Sequence, residues 1–121
     1  MSGNQKKDSY GFGIFAELIT IIYLFLTFHR ILGWRYKTKF GEIDIVASKG
    51  ANLIFIEVKA RRNISHKEVL TTNQQKRIFD AAKIFVQKNK KYSGLNFRFD
   101  LIIFNSALSL EHIKNSWEGF Q

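Results

Sequence analysis

The chain has 121 residues, which is enough for one domain with its own core and too few for two. It contains no cysteine, which excludes disulfides and thiolate zinc sites and is typical of a cytoplasmic protein. Because 19 Lys and Arg against 10 Asp and Glu give a formal charge of +9, we expect a polyanionic partner, nucleic acid ahead of an anionic membrane.

A polar N-terminus precedes the most apolar part of the chain. Residues 1–10 are predicted to form a flexible tail, which leaves residues 11–121 as the single folded domain. Residues 14–28 form an apolar run that is interrupted by Glu17. A membrane-spanning helix needs ~20 apolar residues, so this shorter run favours a buried helix over a membrane segment.

The next segment alternates between apolar and basic residues. From residue 34 to residue 40, Trp, Tyr, Thr and Phe alternate with Arg35, Lys37 and Lys39, which is typical of a half-exposed strand. The three basic side chains would form a ladder on one face that could contact nucleic-acid phosphates. A solvated strand face explains the same pattern without a ligand.

Two β-branched and aromatic stretches, residues 41–47 and 53–59, predict a hairpin closed by the small and polar residues 48–52. Alternation places Glu42 and Asp44 on one face and Ile43 and Ile45 on the other. Residues 53–56 are all apolar, which indicates a strand buried on both faces. A carboxylate at position 57 is then costly unless it meets a counter-charge or a metal ion.

The hairpin carries the residues expected for metal-dependent phosphodiester cleavage. Asp44 and Glu57 offer hard oxygen ligands for Mg²⁺ or Mn²⁺. Lys59 lies two residues after Glu57 on the same strand face, where it could orient water and stabilise charge on the transition state. The alternative is a Glu–Lys pair at a strand end, with Asp44 as an ordinary rim carboxylate.

Basic residues follow the hairpin. Arg61 and Arg62 could hold the phosphates beside the scissile bond. Residues 72–90 show helical spacing of apolar residues after two capping-box patterns, which predicts a second helix. Lys76 and Arg77 lie on its outer face and join the candidate nucleic-acid contacts.

The C-terminal part predicts two more strands. Residues 97–104 are nearly all apolar after Asp100, which indicates a central strand. Asp100 could support the site from this neighbouring strand, and a strand-edge acid paired with a Lys is the alternative. Residues 108–113 predict a last short strand, followed by a tail in which Trp117 packs.

The two strand motifs together resemble a known family. Gly-Glu-Ile-Asp-Ile-Val-Ala at 41–47 and Leu-Ile-Phe-Ile-Glu-Val-Lys-Ala-Arg at 53–61 resemble the YraN-like family, and the resemblance extends from about residue 13 to residue 117. That family is assigned to the restriction-endonuclease-like PD-(D/E)XK superfamily, nearest the Holliday-junction resolvases. The resemblance implies an α/β fold, a mixed sheet of about five strands flanked by helices in the order α-β-β-β-α-β-β.

The same resemblance implies roles for individual residues. It places an Mg²⁺-dependent nuclease site at Asp44, Glu57 and Lys59, with Glu17 touching the metal directly or through water. The alternative for Glu17 is an acid in the first turn of a helix, favoured by the helix dipole. Gln74 matches a polar position that seats the water in resolvase-like relatives, and its alternative is a helix cap. Relatives often carry Asn at the position of Arg35.

Three functions are open, of which the third is a membrane-associated protein that uses residues 14–28. The first is a Mg²⁺-dependent endonuclease acting on DNA more readily than RNA, with branched or flapped DNA as candidate substrates and no small-molecule cofactor. The second is a nucleic-acid-binding protein with the same fold and no catalysis. A homodimer would suit a two-ended substrate, although no segment of the sequence marks an interface.

Overall fold

The computed structural model describes residues 2–61, 70–105 and 109–117, with the backbone alone for 2–10 and 61. Two helices flank a five-stranded mixed sheet in the order α-β-β-β-α-β-β, which confirms the predicted fold class. A short 3₁₀ turn, Lys90–Tyr92, precedes the fourth strand. The helices and strands are α1 (Ser2–Leu26), β1 (Arg30–Thr38), β2 (Gly41–Lys49), β3 (Asn52–Arg61), α2 (Thr72–Lys88), β4 (Asn96–Asn105) and β5 (Leu110–Trp117).

The sheet has the strand order β1-β2-β3-β4-β5. The β3–β4 pair is parallel and the other three pairs are antiparallel. A parallel pair needs a crossover connection, and α2 lies between β3 and β4 in the chain. Residues 53–56 of β3 have no exposed surface, so the prediction of a strand buried on both faces is confirmed.

The predicted hairpin of β2 and β3 is confirmed, with a tighter turn than expected. Lys49 pairs with Asn52, so only Gly50 and Ala51 lie between the strands. Gly50 has φ of 58°, in the left-handed region that favours glycine at a two-residue hairpin turn. Because the turn is shorter, more residues of the two strands are paired than predicted.

Helix α1 begins far earlier than the predicted start at residue 14. Glu17 therefore lies in the middle of the helix, and its interpretation as a first-turn acid is wrong. The buried hydroxyl of Thr20 donates to the carbonyl of Ala16 at 2.7 Å, which keeps a polar group inside an apolar face. Within the described residues, neither helix combines the length and apolar character needed to cross a bilayer.

Helix α2 has the predicted cap and apolar stripe. Thr71 and Gln74 form a reciprocal capping box, which satisfies two N–H groups at the helix start. The buried stripe packs on one face of the sheet against aromatic residues of β3, β4 and β5; its residues are Ile78, Ala81, Ala82 and Phe85. The helix ends at Lys88, two residues before the predicted end.

The two helices cover opposite faces of the sheet with separate core clusters. On the α1 face, Leu24 packs with Ile54, Ile56 and Ile102. On the α2 face, the cluster reaches as far as Trp117. Strand β5 continues to Trp117, beyond the predicted end at residue 113, and the indole is buried as expected.

Candidate active site

The candidate site begins where β2 and β3 stop pairing. Ile45 and Ile56 are the last paired residues at this end of the ladder, and the next residue on each strand is Asp44 or Glu57. Asp44 Oδ2 accepts a hydrogen bond from the main-chain N–H of Val58 at 2.8 Å. The Asp44 side chain thus contacts β3 where the main chain of β2 no longer pairs with it.

Asp44 and Glu57 share a side-chain hydrogen bond. Burial raises the pKa of Asp44 to about 6, although the N–H of Val58 opposes this effect. Burial also raises the pKa of Glu57 to about 8, and the nearby charge of Asp44 adds to the shift. Two close carboxylates in a poorly solvated place cannot both ionise readily. At neutral pH the pair therefore retains a proton between the two groups.

Lys59 completes the trio predicted from the hairpin. Its Nζ lies 3.5 Å from Glu57 Oε1, and both side chains are mostly buried. The lysine charge opposes the rise in the pKa of both Asp44 and Glu57. The structure thus brings two carboxylates and one ammonium group together at a single point of the sheet.

Glu17 lies beside this trio, but its hydrogen bonds are to residues of β1. Its Oε1 accepts hydrogen bonds from Trp34 Nε1 at 2.9 Å and Arg35 Nε at 3.1 Å. Its Oε2 accepts a third hydrogen bond from Arg35 Nη2 at 3.0 Å. The charge of Glu17 contributes to the raised pKa of Asp44. In the part of the chain that the structure describes, no three His, Asp or Glu side chains are grouped to hold a metal ion.

Arg35 has an unusual backbone conformation opposite Asp44. Its φ is 55°, a left-handed value that costs free energy in residues other than glycine and is least costly for Asn and Asp. It lies between the pairs formed by Trp34 with Ile45 and by Tyr36 with Ile43. Strained residues of this kind concentrate at functional sites.

The alternation of side chains in β2 breaks at the same level. Ile43 belongs to the core cluster on the α2 face, whereas Ile45 belongs to the cluster on the α1 face. The prediction that these two isoleucines share a face is therefore wrong. Arg35, whose backbone is left-handed, lies opposite this point of β2 on the neighbouring strand β1. Asp44 is the residue between the two isoleucines.

A cleft of about 170 Å³ opens between the sheet and the start of α2. It is lined by Gly41, Glu42, Glu57, Gln74, Arg77 and Ile78. Gln74 and Arg77 thus lie on the same cleft as Glu57. Gln74 Oε1 also accepts from the Thr71 N–H at 3.0 Å, so its alternative role as a cap is confirmed.

Glu42 is an acid of the cleft that we did not single out from the sequence. It is exposed and lies two residues before Asp44 in β2. The alternation of β2 already placed it with Asp44, which was the available signal. That it lines the cleft could not be predicted, because the cleft depends on how α2 packs.

The predicted nucleic-acid contacts differ in their environments. Lys37 and Lys39 of β1 are exposed, whereas Arg35 is held by Glu17. Lys76 is exposed and forms an ion pair with Asp80 at 3.0 Å. Arg62 and the side chain of Arg61 lie outside the described residues.

A second polar cluster is buried around Asp100, next to the candidate site in the sheet. Asp100 Oδ1 accepts from Arg98 Nε at 2.9 Å and from the Asn115 N–H at 2.9 Å. Its Oδ2 lies 2.9 Å from Arg98 Nη2 and 2.7 Å from His112 Nε2. The other ring nitrogen of His112 lies 2.8 Å from the Tyr23 hydroxyl of α1. This cluster therefore joins α1, β4 and β5.

The negative charge of Asp100 is stabilised by the groups around it. Burial opposes ionisation of Asp100, but the hydrogen bonds from His112 and Arg98 outweigh it and lower its pKa. The predicted Lys partner is wrong, because the counter-charge is Arg98. The pKa of Tyr23 is raised by burial and by the Asp100 charge. An acid with this many donors is well suited to a structural role.

Comparison with known proteins supports the resemblance to the YraN-like family. The sequence profile of "Uncharacterised protein family UPF0102" matches residues 16–104. A UPF0102 protein of Ehrlichia ruminantium is 37% identical over 117 residues, covering 95% of this chain and 91% of the relative. One from Ehrlichia chaffeensis is 40% identical, covering 97% and 96%. A Mesorhizobium japonicum relative is 33% identical, covering 95% and 93%.

Proposed function

This chain belongs to the uncharacterised protein family UPF0102, and from its own site we propose that it is a Mg²⁺-dependent endonuclease of the PD-(D/E)XK type. In this proposal it is a cytoplasmic protein that hydrolyses phosphodiester bonds in DNA, with branched or flapped DNA as candidate substrates. The observation that carries the proposal is the contact of Asp44 with Glu57, with Lys59 at 3.5 Å from Glu57.

The carboxylate pair fits a divalent cation. The two carboxyl groups share a hydrogen bond in a poorly solvated place, so a cation would relieve their mutual repulsion. Mg²⁺ commonly uses one or two protein carboxylates and keeps several waters, so a third acid is not required. Asp44 and Glu57 would hold Mg²⁺ or Mn²⁺, which supplies a more acidic water and polarises a phosphate oxygen.

Lys59 has the charge and position needed beside the reacting phosphate. Its ammonium group is 3.5 Å from Glu57 Oε1 and only partly exposed. In this setting a fixed positive charge stabilises negative charge that develops on phosphate oxygens. We assign Lys59 to that role and to orienting the attacking water.

The cleft contains side chains suited to binding the substrate and the attacking water. Arg77 lines it, and its planar guanidinium group suits bidentate binding of a phosphate. Gln74 lines it too and could hold the water through its amide N–H, since its carbonyl is used in the cap. Glu17 would act by holding Trp34 and Arg35 through hydrogen bonds, and Arg35 lies opposite Asp44 in the register of β1 and β2.

Nucleic acid would approach along the basic residues around this cleft. Lys37, Lys39 and Lys76 are exposed and can contact phosphates without sequence preference. Arg61 and Arg62 come two and three residues after Lys59 in the chain and would extend the same contact. The formal charge of +9 is consistent with a polyanionic substrate.

The test is a Mg²⁺ titration against linear, single-stranded, flapped and four-way DNA, with and without a chelator. We expect cleavage that needs Mg²⁺ or Mn²⁺ and falls by at least about a hundredfold in Asp44→Asn, Glu57→Gln or Lys59→Met. Asp80→Asn is the charge control, because it removes an acid of α2 that does not line the cleft and releases Lys76 and Lys83 from their ion pairs, so cleavage should not fall. A folded Asp44→Asn protein that cuts as fast as the parent would contradict the proposal.

The alternative is a nucleic-acid-binding protein without catalysis. It is favoured by the fact that Asp44, Glu57 and Lys59 already satisfy one another through a hydrogen bond and an ion pair. Both functions predict affinity that falls steeply with salt. They differ when Mg²⁺ is added to a preformed complex with DNA, because only the endonuclease produces cut strands.

A further inference from the structure

The outward face of α1 carries a stripe of exposed apolar side chains. Phe15, Leu18, Ile22 and Phe25 are 44%, 43%, 54% and 72% exposed. We call these four residues the α1 seam. The opposite side of the same helix is buried against the sheet through Ala16, Thr20 and Leu24. Phe15 also packs edge-on against the buried Phe104 of β4, with 5.7 Å between the ring centroids, so the seam borders the core-facing surface at its N-terminal end.

The spacing of the seam is that of a helix pairing with another helix. Its residues are separated by three, four and three positions. This is the a–d–a–d spacing of a heptad repeat, which lines up a narrow apolar edge along one helix. A surface that had only to contact solvent would not need apolar residues at these positions. The spacing thus indicates a helical partner.

The spacing of three, four and three positions is the same in both directions along the helix. When the helix is reversed, Phe15 comes opposite Phe25 and Leu18 comes opposite Ile22. A second copy of α1, placed antiparallel, therefore offers a matching apolar residue at every position. This is the requirement of a two-fold symmetric interface, in which the same patch serves both subunits.

We propose that the α1 seam is the interface of a homodimer in which two α1 helices pack antiparallel. The neighbouring Leu26 and Phe28 are 68% and 87% exposed, and they extend the apolar surface to six large side chains. Monomeric proteins rarely expose a continuous apolar patch of this size.

The C-terminal end of the seam widens into an apolar pocket. The pocket has a volume of about 690 Å³ and is lined by Phe25, Leu26, Phe28, His29, Arg30 and Ile31. Phe28 is 87% exposed in the lone subunit. In an antiparallel dimer the N-terminal part of the partner helix lies at this end, so the pocket belongs to the same interface.

Two further features favour a second copy over a lipid surface. Helices that lie on membranes usually carry Lys and Arg along the polar border, whereas residues 11–26, the part of α1 that bears the seam, contain neither, and the basic residues Lys6, Lys7 and Arg30 lie beyond its two ends. Burial of Glu17 removes the only charge of that segment from the surface. The cleft with Glu57 lies on the α2 side, so a dimer through α1 leaves both clefts accessible.

The first experiment measures mass by sedimentation equilibrium over a range of protein concentrations. We expect a monomer–dimer equilibrium whose dissociation constant rises by at least about a hundredfold in Ile22→Glu, because a central apolar contact is replaced by a charge. Gln87→Glu adds the same charge on the exposed face of α2 and should leave the mass unchanged. Circular dichroism checks that each variant is folded.

A second experiment tests the antiparallel arrangement. The chain has no cysteine, so Leu18→Cys/Ile22→Cys introduces the only thiols. A short thiol-specific cross-linker should join two chains of the double variant much faster than those of either single variant. Equal cross-linking of Ile22→Cys alone would indicate a parallel pair and overturn the arrangement.

Two results would overturn the dimer itself. One is a wild-type protein that stays monomeric at concentrations of about 100 μM, well above those at which a standard interface associates. The other is a monomer that floats with anionic phosphatidylglycerol vesicles and loses this binding in Ile22→Glu, which would assign the seam to a lipid surface. Neither measurement uses nuclease activity, so the test of the dimer is independent of the proposed function.

Discussion

Asp44 and Glu57 lie next to each other on two strands that have stopped pairing, and their carboxyl groups share a hydrogen bond. Each group raises the free energy needed to ionise the other in this poorly solvated place. Such an arrangement works against the stability of the fold whenever both groups are charged. Sites kept at a cost to stability are a common feature of functional centres.

The first prediction concerns the pH dependence of stability. The pKa values of Asp44 and Glu57 are raised in the folded protein, so the folded state binds more protons than the unfolded state above about pH 4. The free energy of unfolding must therefore fall as pH rises toward about 8. Relative to Glu57→Gln, we expect the wild type to lose about 2–3 kcal/mol between pH ~5 and pH ~8 in urea unfolding.

Mg²⁺ provides the control for this prediction. Excess Mg²⁺ at about pH 8 should stabilise the wild type by binding the folded state. It should leave Glu57→Gln nearly unchanged, because that variant lacks one of the two proposed ligands. Parallel pH profiles for the two proteins would show that Glu57 is not responsible for the loss.

The second prediction concerns Asp100. Replacing it with Asn leaves Arg98 without its counter-charge in a mostly buried position, and we expect a loss of about 3 kcal/mol in the free energy of unfolding. The matched control is Asp80→Asn, which removes surface ion pairs with Lys76 and Lys83 and should have a much smaller effect. Equal losses in the two variants would contradict a structural role for the Asp100 cluster.

The sequence predicts the hairpin and the approach of Asp44 to Glu57 because both depend on local patterns. Stretches of β-branched and aromatic residues, with small and polar residues between them, indicate β2 and β3. Antiparallel pairing then brings residues that are equally far from the turn, such as Asp44 and Glu57, opposite each other. The capping box at Thr71 is local in the same way, and it is confirmed.

Features that depend on distant partners could not be predicted. The break between Ile43 and Ile45 lies across from Arg35, whose left-handed backbone has no signature in the residue itself. The counter-charge of Asp100 is joined by His112, which comes from the last strand. The extension of α1 to Ser2 involves polar residues without an apolar stripe, so helical periodicity could not detect it.

The third prediction concerns nucleic-acid binding. Lys37 and Lys114 are both exposed lysines, on the two opposite edge strands β1 and β5. If nucleic acid binds along β1, Lys37→Ala should weaken affinity for every sequence and reduce the slope of log affinity against log salt by about one unit. Lys114→Ala should change neither quantity. Filter binding or fluorescence anisotropy at several salt concentrations, without Mg²⁺, measures both; equal effects would place the contact elsewhere.

The fourth prediction separates a metal ligand from a positioning residue at Glu17. Both oxygens of its carboxylate accept hydrogen bonds, from Trp34 and Arg35. We expect Glu17→Gln to reduce the free energy of unfolding by about 1–3 kcal/mol, because it removes the charge of the acid that pairs with the half-buried Arg35.

Affinity for Mg²⁺ should change little in the same variant. The amide still accepts a hydrogen bond from Trp34, and removal of the Glu17 charge makes Asp44 easier to ionise, since that charge helps to raise its pKa. Calorimetric titration should therefore show Mg²⁺ affinity within about threefold of the wild type, whereas Asp44→Asn loses at least about tenfold. A loss in Glu17→Gln as large as that in Asp44→Asn would make Glu17 a ligand, and the site would then bind Mg²⁺ through three acids.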